Sequence, residues 1–288
     1  MGAVLGNDPL AIVAGEGDLP KLLAEECTRT GRTHVIVLFA GFSPDWVGDR
    51  AVIFAEFEKP ARLFKALKKG GFQDITFAGA MQRPQLSWLK FDLKFWRLAP
   101  KLLPAVKSGD DVTLRTITAM FEAEGMQIIG AHDVLETLLA PAGIQTIAKL
   151  SKADWVDIKK GLDIAQASGR MDVGQGAVVA QGICLGVESI QGTDAMLGFV
   201  AETRMPFRLD RKGAKGVLCK VPKPGQDWRV DLPSIGAATM IEAWKAGLAG
   251  VAVQAGGVLV LGLEETIAKA DELGLFLVGV ARDDEISK

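Results

Sequence analysis

An α/β protein of two domains joined by a short linker, the first of them Rossmann-like, is the fold class this sequence predicts. Three observations carry that prediction. Short apolar runs that end in glycine alternate with stretches of helical periodicity through the first half. The rhythm breaks around DVLETLLAPAGIQT, where Pro141 interrupts it. Strands and helices of a second set then run to the end of the chain. Such alternation implies parallel strands joined by crossover helices. The domains are placed at 1–138 and 143–288.

The elements follow in order. LAIVAG (10–15) is short, apolar and closed by glycine, as a buried strand is. LPKLLAEECTRTG (19–31) has helical spacing, with Pro20 near its start and Gly31 at its stop. HVIVLFAG (34–41) is a second buried strand, RLFKALKKGG (62–71) a short helix ended by glycines, and ITFAGA (75–80) a third strand. A helix fits DDVTLRTITAMFEAEG (110–125) and a strand fits MQIIGA (126–131). After the break, SKADWVDIKKGLDIAQASG (151–169) is a helix. AVVAQ and ICLGVES are strands joined by a turn at Gly182, and GVLCKV (216–221) is another. Helices fit TDAMLGFVAETR and AATMIEAWKAG; VAVQAG, VLVLG, the helix EETIAKADELG and the strand LFLVGVA complete the chain.

Composition removes several function classes. Apolar residues at 49% and charged residues at 24% describe a globular chain with a full core. A formal net charge of -2 argues against a nucleic-acid partner, which calls for a basic excess. Cys27, Cys184 and Cys219 lie far apart with no CxxC pair, so a zinc knuckle and a disulfide framework are both unsupported. Free thiols suit a cytoplasmic chain. His34 and His132 are the only histidines, too few for a His-rich metal site and poor material for a Ser-His-Asp triad. No apolar run approaches a membrane span. The first residues lack the basic region and apolar segment of a signal peptide.

Four stretches carry chemistry. In AGEGDLP (14–20), Gly15, Gly17 and Asp18 follow a strand and precede a helix N-terminus, a place that suits a phosphate or sugar. The dinucleotide fingerprint lacks its third glycine there, so a tight turn is the structural alternative. In QLSWLKFDLKFWRLAPKLLPAVKSG (85–109), Trp88, Phe91, Phe95 and Trp96 interleave with Lys90, Lys94, Arg97 and Lys101. That mixture suits acyl chains and an anionic head group, or else a helix with its apolar face on the core. A glycine-rich cluster (169–196) brings Asp172, Gln175, Glu188, Thr193 and Asp194 to strand ends and turns, where Thr193 or Asp194 also suits a helix cap. The fourth stretch is KVPKPGQDWRVDLPSIG (220–236). Lys220, Lys223, Gln226, Asp227, Arg229 and Asp231 stand among Pro222, Pro224 and Pro233. Cations suit phosphate oxygens, and a carboxylate suits a divalent ion shared with phosphates. The loop therefore reads as a magnesium-assisted phosphoryl site, with surface ion pairs as the alternative.

AGEGDLP, KSGDDVTLR, DVGQGAVVAQG, VESIQGTDAM and PGQDWRVDLPSIG stand in the order found in the LpxI-type UDP-2,3-diacylglucosamine pyrophosphatases, and the chain resembles that family from about Leu10 to Ala281. Glu16 stands where the family often has another glycine. The resemblance implies Mg2+-dependent cleavage of UDP-2,3-diacylglucosamine to UMP and 2,3-diacylglucosamine 1-phosphate in lipid A biosynthesis, with water directed at the phosphorus on the sugar side. It implies a two-domain protein that holds a lipid-linked UDP-sugar and is compatible with peripheral contact with the inner membrane. It makes Asp227, in the KPGQD motif, the essential catalytic and metal-binding residue. Gly15, Gly17, Asp18, Gln175, Thr193, Asp194, Lys220, Lys223 and Gln226 are the expected substrate contacts. No motif speaks to oligomeric state. Two other readings stay open on the residues alone: a nicotinamide-dependent oxidoreductase, and a non-catalytic nucleotide or lipid carrier.

Overall fold

The computed structural model of the protein describes residues 8–81, 91–108, 110–203, 210 and 213–281. The chain divides into two compact units. Met1–Glu136 with Asp227–Asp231 form the first, and Thr137–Gln226 with Leu232–Lys288 form the second.

The first unit is built on a parallel sheet of order β3-β2-β1-β4-β5. Its strands are β1 (Leu10–Ala14), β2 (His34–Phe39), β3 (Val52–Ala55), β4 (Asp74–Ala78) and β5 (Gln127–Ile128). This is the strand order of a Rossmann sheet. All of β1 is buried, as a central strand covered on both faces must be. The strand read as third in the sequence is β4, because β3 intervenes. β3 is an edge strand of mixed burial with Phe54 exposed, so it lacks the unbroken apolar signature of its neighbours. The helices are α1 (Leu19–Thr30), α2 (Pro60–Lys69), α3 (Leu93–Ser108), α4 (Asp110–Ala123) and the single turn α5 (Ala131–Val134). Gly31 ends α1 at φ 72°, a left-handed cap that glycine adopts without Cβ strain. Asp92 caps two helices at once: Oδ1 accepts from Phe95 N (2.6 Å) in α3 and Oδ2 from Ala61 N (3.0 Å) in α2. The core packs Val13, Val35 and Val37 against Leu63, Phe64 and Phe121, with Val230 of the inserted segment against it.

The second unit has a six-stranded sheet of order β6-β13-β11-β9-β7-β8. Its strands are β6 (Gly143–Ile144), β7 (Gly176–Ala180), β8 (Ile183–Val187), β9 (Val217–Lys220), β11 (Gly250–Gln254) and β13 (Phe276–Val280). β9, β11 and β13 run parallel, while β6, β7 and β8 pair antiparallel. A separate parallel pair joins β10 (Ser234–Gly236) to β12 (Leu259–Leu261). α6 (Lys152–Arg170) opens with a capping box, Ser151 with Asp154, and covers one face of the large sheet. α7 (Gly192–Thr203), α8 (Ala237–Lys245) and α9 (Leu263–Leu273) contribute Leu197, Met240 and Ala270 to the larger core cluster. The β7–β8 turn has both Gln181 (φ 52°) and Gly182 (φ 74°) left-handed. Buried Asp157 on α6 fixes it, Oδ2 accepting from Gln181 N (2.9 Å) and Oδ1 from Gly182 N (2.7 Å). No helix among the described residues is long and apolar enough to cross a membrane.

Candidate active site

Asp227 sits at the head of a tight turn whose backbone it helps to close. Its carbonyl accepts from Val230 N and Asp231 N (both 3.1 Å), and its Oδ1 accepts from Arg229 N (3.1 Å). The Arg229 guanidinium then grips the same carboxylate from the side, Nε to Oδ1 at 3.0 Å and Nη2 to Oδ2 at 2.7 Å. Arg229 is held in turn by Glu122 of α4, Nη1 to Oε1 at 2.8 Å. These hydrogen bonds from Arg229 keep the Asp227 carboxyl below the usual carboxylate range, against an opposing push from partial burial; Arg115 adds to the depression. The Arg229 guanidinium is raised by the same partners. A fork-on-carboxylate pair of this kind fixes orientation as well as charge.

In the second unit, Lys220 ends β9 with its side chain buried. Its Nζ donates to Thr193 Oγ1 (2.8 Å) and to the Ser234 carbonyl (3.2 Å), and lies 3.8 Å from Glu188 Oε1. Thr193 donates to the same Glu188 oxygen at 3.1 Å. α7 begins at Gly192, so Thr193 lies within the helix, its hydroxyl committed to Glu188 and Lys220, and Asp194 stands in the first turn. Glu188 Oε2 and Gln175 Oε1 are buried acceptors without a hydrogen-bond donor. Glycine makes room for this cluster: a Cβ on Gly176 would fall 2.4 Å from Glu188 Oε2. Glu188 stood in the sequence cluster, but only the fold shows that it faces Lys220.

The loop after β9 is a Pro-Gly turn. Gly225 takes φ 77° behind Pro224, Gln226 N donates to the Lys223 carbonyl (3.2 Å), and Lys223 N donates to Gln226 Oε1 (3.0 Å). Proline second and glycine third is the pattern a type II turn requires. Lys223 Nζ bonds Asp172 Oδ1 at 2.7 Å. The side chain of Gln226 is thus engaged in holding the turn immediately before Asp227.

The glycine loop is placed differently from a nucleotide cradle. Gly15 N donates to the Ala78 carbonyl (2.7 Å) and Glu16 N to the Ala80 carbonyl (2.8 Å), while Ala80 N returns a bond to Glu16 (3.0 Å). The loops after β1 and β4 are therefore zipped together. A Cβ on Gly15 would lie 2.4 Å from the Ala80 oxygen, so glycine there serves close backbone approach. Gly17, at φ 93° with open space beside it, and Asp18 lead into α1. The crevice between β1 and β4, where this strand order usually seats a dinucleotide, is bridged by backbone hydrogen bonds, which weighs against a nicotinamide site.

Among the described residues no group of three or more imidazole, thiol and carboxylate side chains converges on one point. Magnesium does not demand one, since it keeps several waters and takes one or two carboxylates together with phosphates. Asp227 Oδ1 accepts two bonds and Oδ2 one, which leaves Oδ2 a lone-pair direction for an ion.

The aromatic and cationic stretch is split by its helix. Trp88, with the rest of 82–90, and Gly109 lie outside the described residues. Phe95 is 1% exposed and stacks on Phe91 at 3.9 Å, whereas Leu93 and Trp96 face outward. Lys94 lies 4.8 Å above the Phe64 ring and pairs with Glu124.

The matches to known proteins cover both units. The model of the LpxI N-terminal domain matches residues 9–138, and that of the LpxI C-terminal domain matches residues 141–278. The UDP-2,3-diacylglucosamine pyrophosphatase LpxI of Caulobacter vibrioides (strain ATCC 19089 / CIP 103742 / CB 15) is 43% identical over 276 residues, 94% of this chain and 97% of that protein. A solved CobK precorrin-6A reductase is 13% identical with a TM-score of 0.30 over 96% of this chain and 88% of its own, too remote to inform the fold. By its two matched domains and its 43% identity to the Caulobacter protein over 94% of its length, the chain belongs to the LpxI family.

Proposed function

We propose that the protein hydrolyses the pyrophosphate of UDP-2,3-diacylglucosamine, releasing UMP and 2,3-diacylglucosamine 1-phosphate, and that it does so with Mg2+ in lipid A biosynthesis. The observation that carries this reading is the Asp227 carboxylate, ionised and oriented by Arg229, in a chain 43% identical to a UDP-2,3-diacylglucosamine pyrophosphatase. Water adds to one phosphorus, the bridging P–O bond breaks, and UMP departs with the electron pair of that bond. Phosphoryl transfer of this kind depends mainly on positioning and on stabilisation of charge at phosphorus.

Asp227 is the catalytic residue on this reading, its Oδ2 offered to Mg2+ and its plane set by Arg229. The ion, when bound, neutralises phosphate charge and lowers the pKa of a coordinated water. Lys220, with Thr193 and Glu188 fixing its ammonium, supplies positive charge to phosphate oxygens, and Lys223 a second cation. Gln175 and Asp194 accept from the uridine or sugar hydroxyls. Gly17 and Asp18 meet the substrate at the start of α1, Gln226 keeps the Pro224-Gly225 turn just before Asp227 in shape, and Gly15 acts through the backbone packing it permits. The substrate's lipid portion brings the protein to the inner membrane surface from the cytoplasm.

The test is incubation with UDP-2,3-diacylglucosamine and Mg2+ in water enriched in oxygen-18, with mass analysis of both products. UMP release that stops on chelation, with the label in the lipid phosphate, is the expected result. Intact substrate at high enzyme concentration with Mg2+ present overturns the proposal.

A further inference from the structure

In the second unit β7 lies between β8 and β9. Gly176 of β7 pairs with Lys220 of β9, and Glu188, just past β8, donates its N–H to the Gly176 carbonyl (2.8 Å). Residues opposite one another across a ladder project to the same face. The row therefore reads Glu188, Gly176, Lys220, with no side chain at its centre. Its outer backbones stand two strand spacings apart, roughly 9–10 Å. Yet Glu188 Oε1 lies 3.8 Å from Lys220 Nζ, so the two side chains meet over the glycine. Gly176 is not left-handed, so what glycine supplies there is space. A Cβ on it would collide with Glu188 Oε2 while leaving Glu188 Cβ at an ordinary 3.4 Å. A Cβ on Gly174 would overlap the Glu188 carbonyl. Both glycines of DVGQG thus make room for one residue.

Thr193 gives the contact a direction. The single proton of its hydroxyl goes to Glu188 Oε1 (3.1 Å), and its oxygen accepts from Lys220 Nζ (2.8 Å). Glu188 is 8% exposed, and its Oε2 accepts no hydrogen bond. A buried carboxylate so sparsely satisfied is a poor source of stability. We infer that Glu188 is a positioning residue, which through Thr193 aims the Lys220 ammonium, and that Gly174 and Gly176 are glycines so that it can cross the middle strand. The inference rests on the hydrolysis proposed above, in which Lys220 supplies charge to phosphate oxygens.

A double-mutant cycle tests it. The Gly176→Ala clash is with the free end of a flexible side chain, so that variant is expected to fold with its carboxylate pushed off Lys220. UMP release from UDP-2,3-diacylglucosamine is measured for Gly176→Ala, Glu188→Ala, the double variant and Glu188→Gln. Misplacing a reacting group by about 1 Å costs on the order of a hundredfold, so both single variants are expected to lose roughly ten- to a hundredfold in kcat. The double variant is expected to lose no more than Glu188→Ala alone, because the added Cβ then has nothing to displace. Glu188→Gln keeps an acceptor for Thr193 and is expected to recover most of the rate. In parallel, the Lys220 ammonium signal of protein carrying nitrogen-15 lysine, identified by its loss in Lys220→Met, is followed by NMR. It is expected to move in both single variants and no further in the double one. Additive losses in the cycle, or a Lys220 signal that neither single variant moves, overturn the inference. If Gly176→Ala does not fold, Glu188→Ala decides alone, and a rate equal to wild type overturns it. A signal that moves as expected, with no UMP released even by wild type, leaves the positioning role standing and removes the hydrolase reading. Release by wild type that Glu188→Ala does not slow does the reverse.

Discussion

Asp227→Ala separates a catalytic carboxylate from a structural one, because the geometry gives each role a different size. Structurally, the substitution removes the pair with Arg229 and the contact from Oδ1 to Arg229 N. Arg229 has 42% of its side chain exposed and keeps Glu122 at 2.8 Å, so no charge is stranded in the interior. Partly exposed pairs of this kind are worth about 0–1 kcal/mol, and a lost side-chain-to-backbone contact at a turn about 1 kcal/mol. A loss of roughly 1–2 kcal/mol in unfolding free energy follows from those two contributions. Catalytically, removing one group that acts on charge developing in the transition state costs on the order of 10²–10³-fold in rate. The expected outcome is a folded protein, slightly less resistant to urea, that releases UMP at least about a hundredfold more slowly yet still binds substrate. Asp227→Asn keeps the turn contact and is expected to recover stability without recovering rate. Steady-state UMP release, substrate binding by calorimetry and urea melts of all three proteins provide the data. If Asp227→Ala lost stability far beyond this range while turning over within tenfold of the parent, Asp227 would be a brace and the catalytic assignment would fall.

Other outcomes follow from the same geometry. Asp227 titrates below the ordinary carboxylate range, so its contribution to stability is full above about pH 4 and fades as pH falls through its own lowered pKa. The stability difference between wild type and Asp227→Asn should therefore be constant from pH 5 to 8 and shrink only under more acidic conditions; a step near neutrality would contradict the Arg229 contact. Arg32 and Asp74 pair at 2.7 Å with both side chains largely buried, so Arg32→Met, which strands the carboxylate, should cost about 3–5 kcal/mol in a urea melt. Burial already pushes the Asp74 carboxyl up despite Arg32, and the variant should regain part of the loss as pH falls and Asp74 protonates. Gly161→Ala places a Cβ 2.5 Å from the buried Cys219 sulfur, and the clash between α6 and β9 should cost about 1–3 kcal/mol. Cys184 is exposed, whereas burial raises the Cys27 thiol to about 11 and pushes Cys219 up as well, so iodoacetamide near pH 8 should modify Cys184 alone in the native state.

The sequence by itself determined most of the elements, because local chemistry decides them. Buried central strands such as β1 and β13 are unbroken apolar runs, and Gly31 and Gly274 mark helix ends in the left-handed region, which glycine adopts without strain and from which their N–H groups reach back to the last-turn carbonyls. The Pro224-Gly225 turn and the Ser151 capping box are likewise written in short-range residue types. Three of the shortest strands escaped: β3, β6 and β10 span four, two and three residues, too few for an alternating period to show. The motifs named Asp227 and Lys220, but what surrounds them is a property of the tertiary structure. Nothing in the spacing of Glu122 and Arg229, 107 residues apart, announces that one holds the other against Asp227. Glu188 and Thr193 meet Lys220 only because β8 folds back beside β7 and delivers them to the end of β9. The glycines of the first loop looked like an anion cradle, yet pairing with the β4 loop takes up the Gly15 and Glu16 N–H groups. A residue's type fixes which bonds it can make. Which of them it does make depends on the partners brought from distant segments, and those are chosen by the packing of the whole unit.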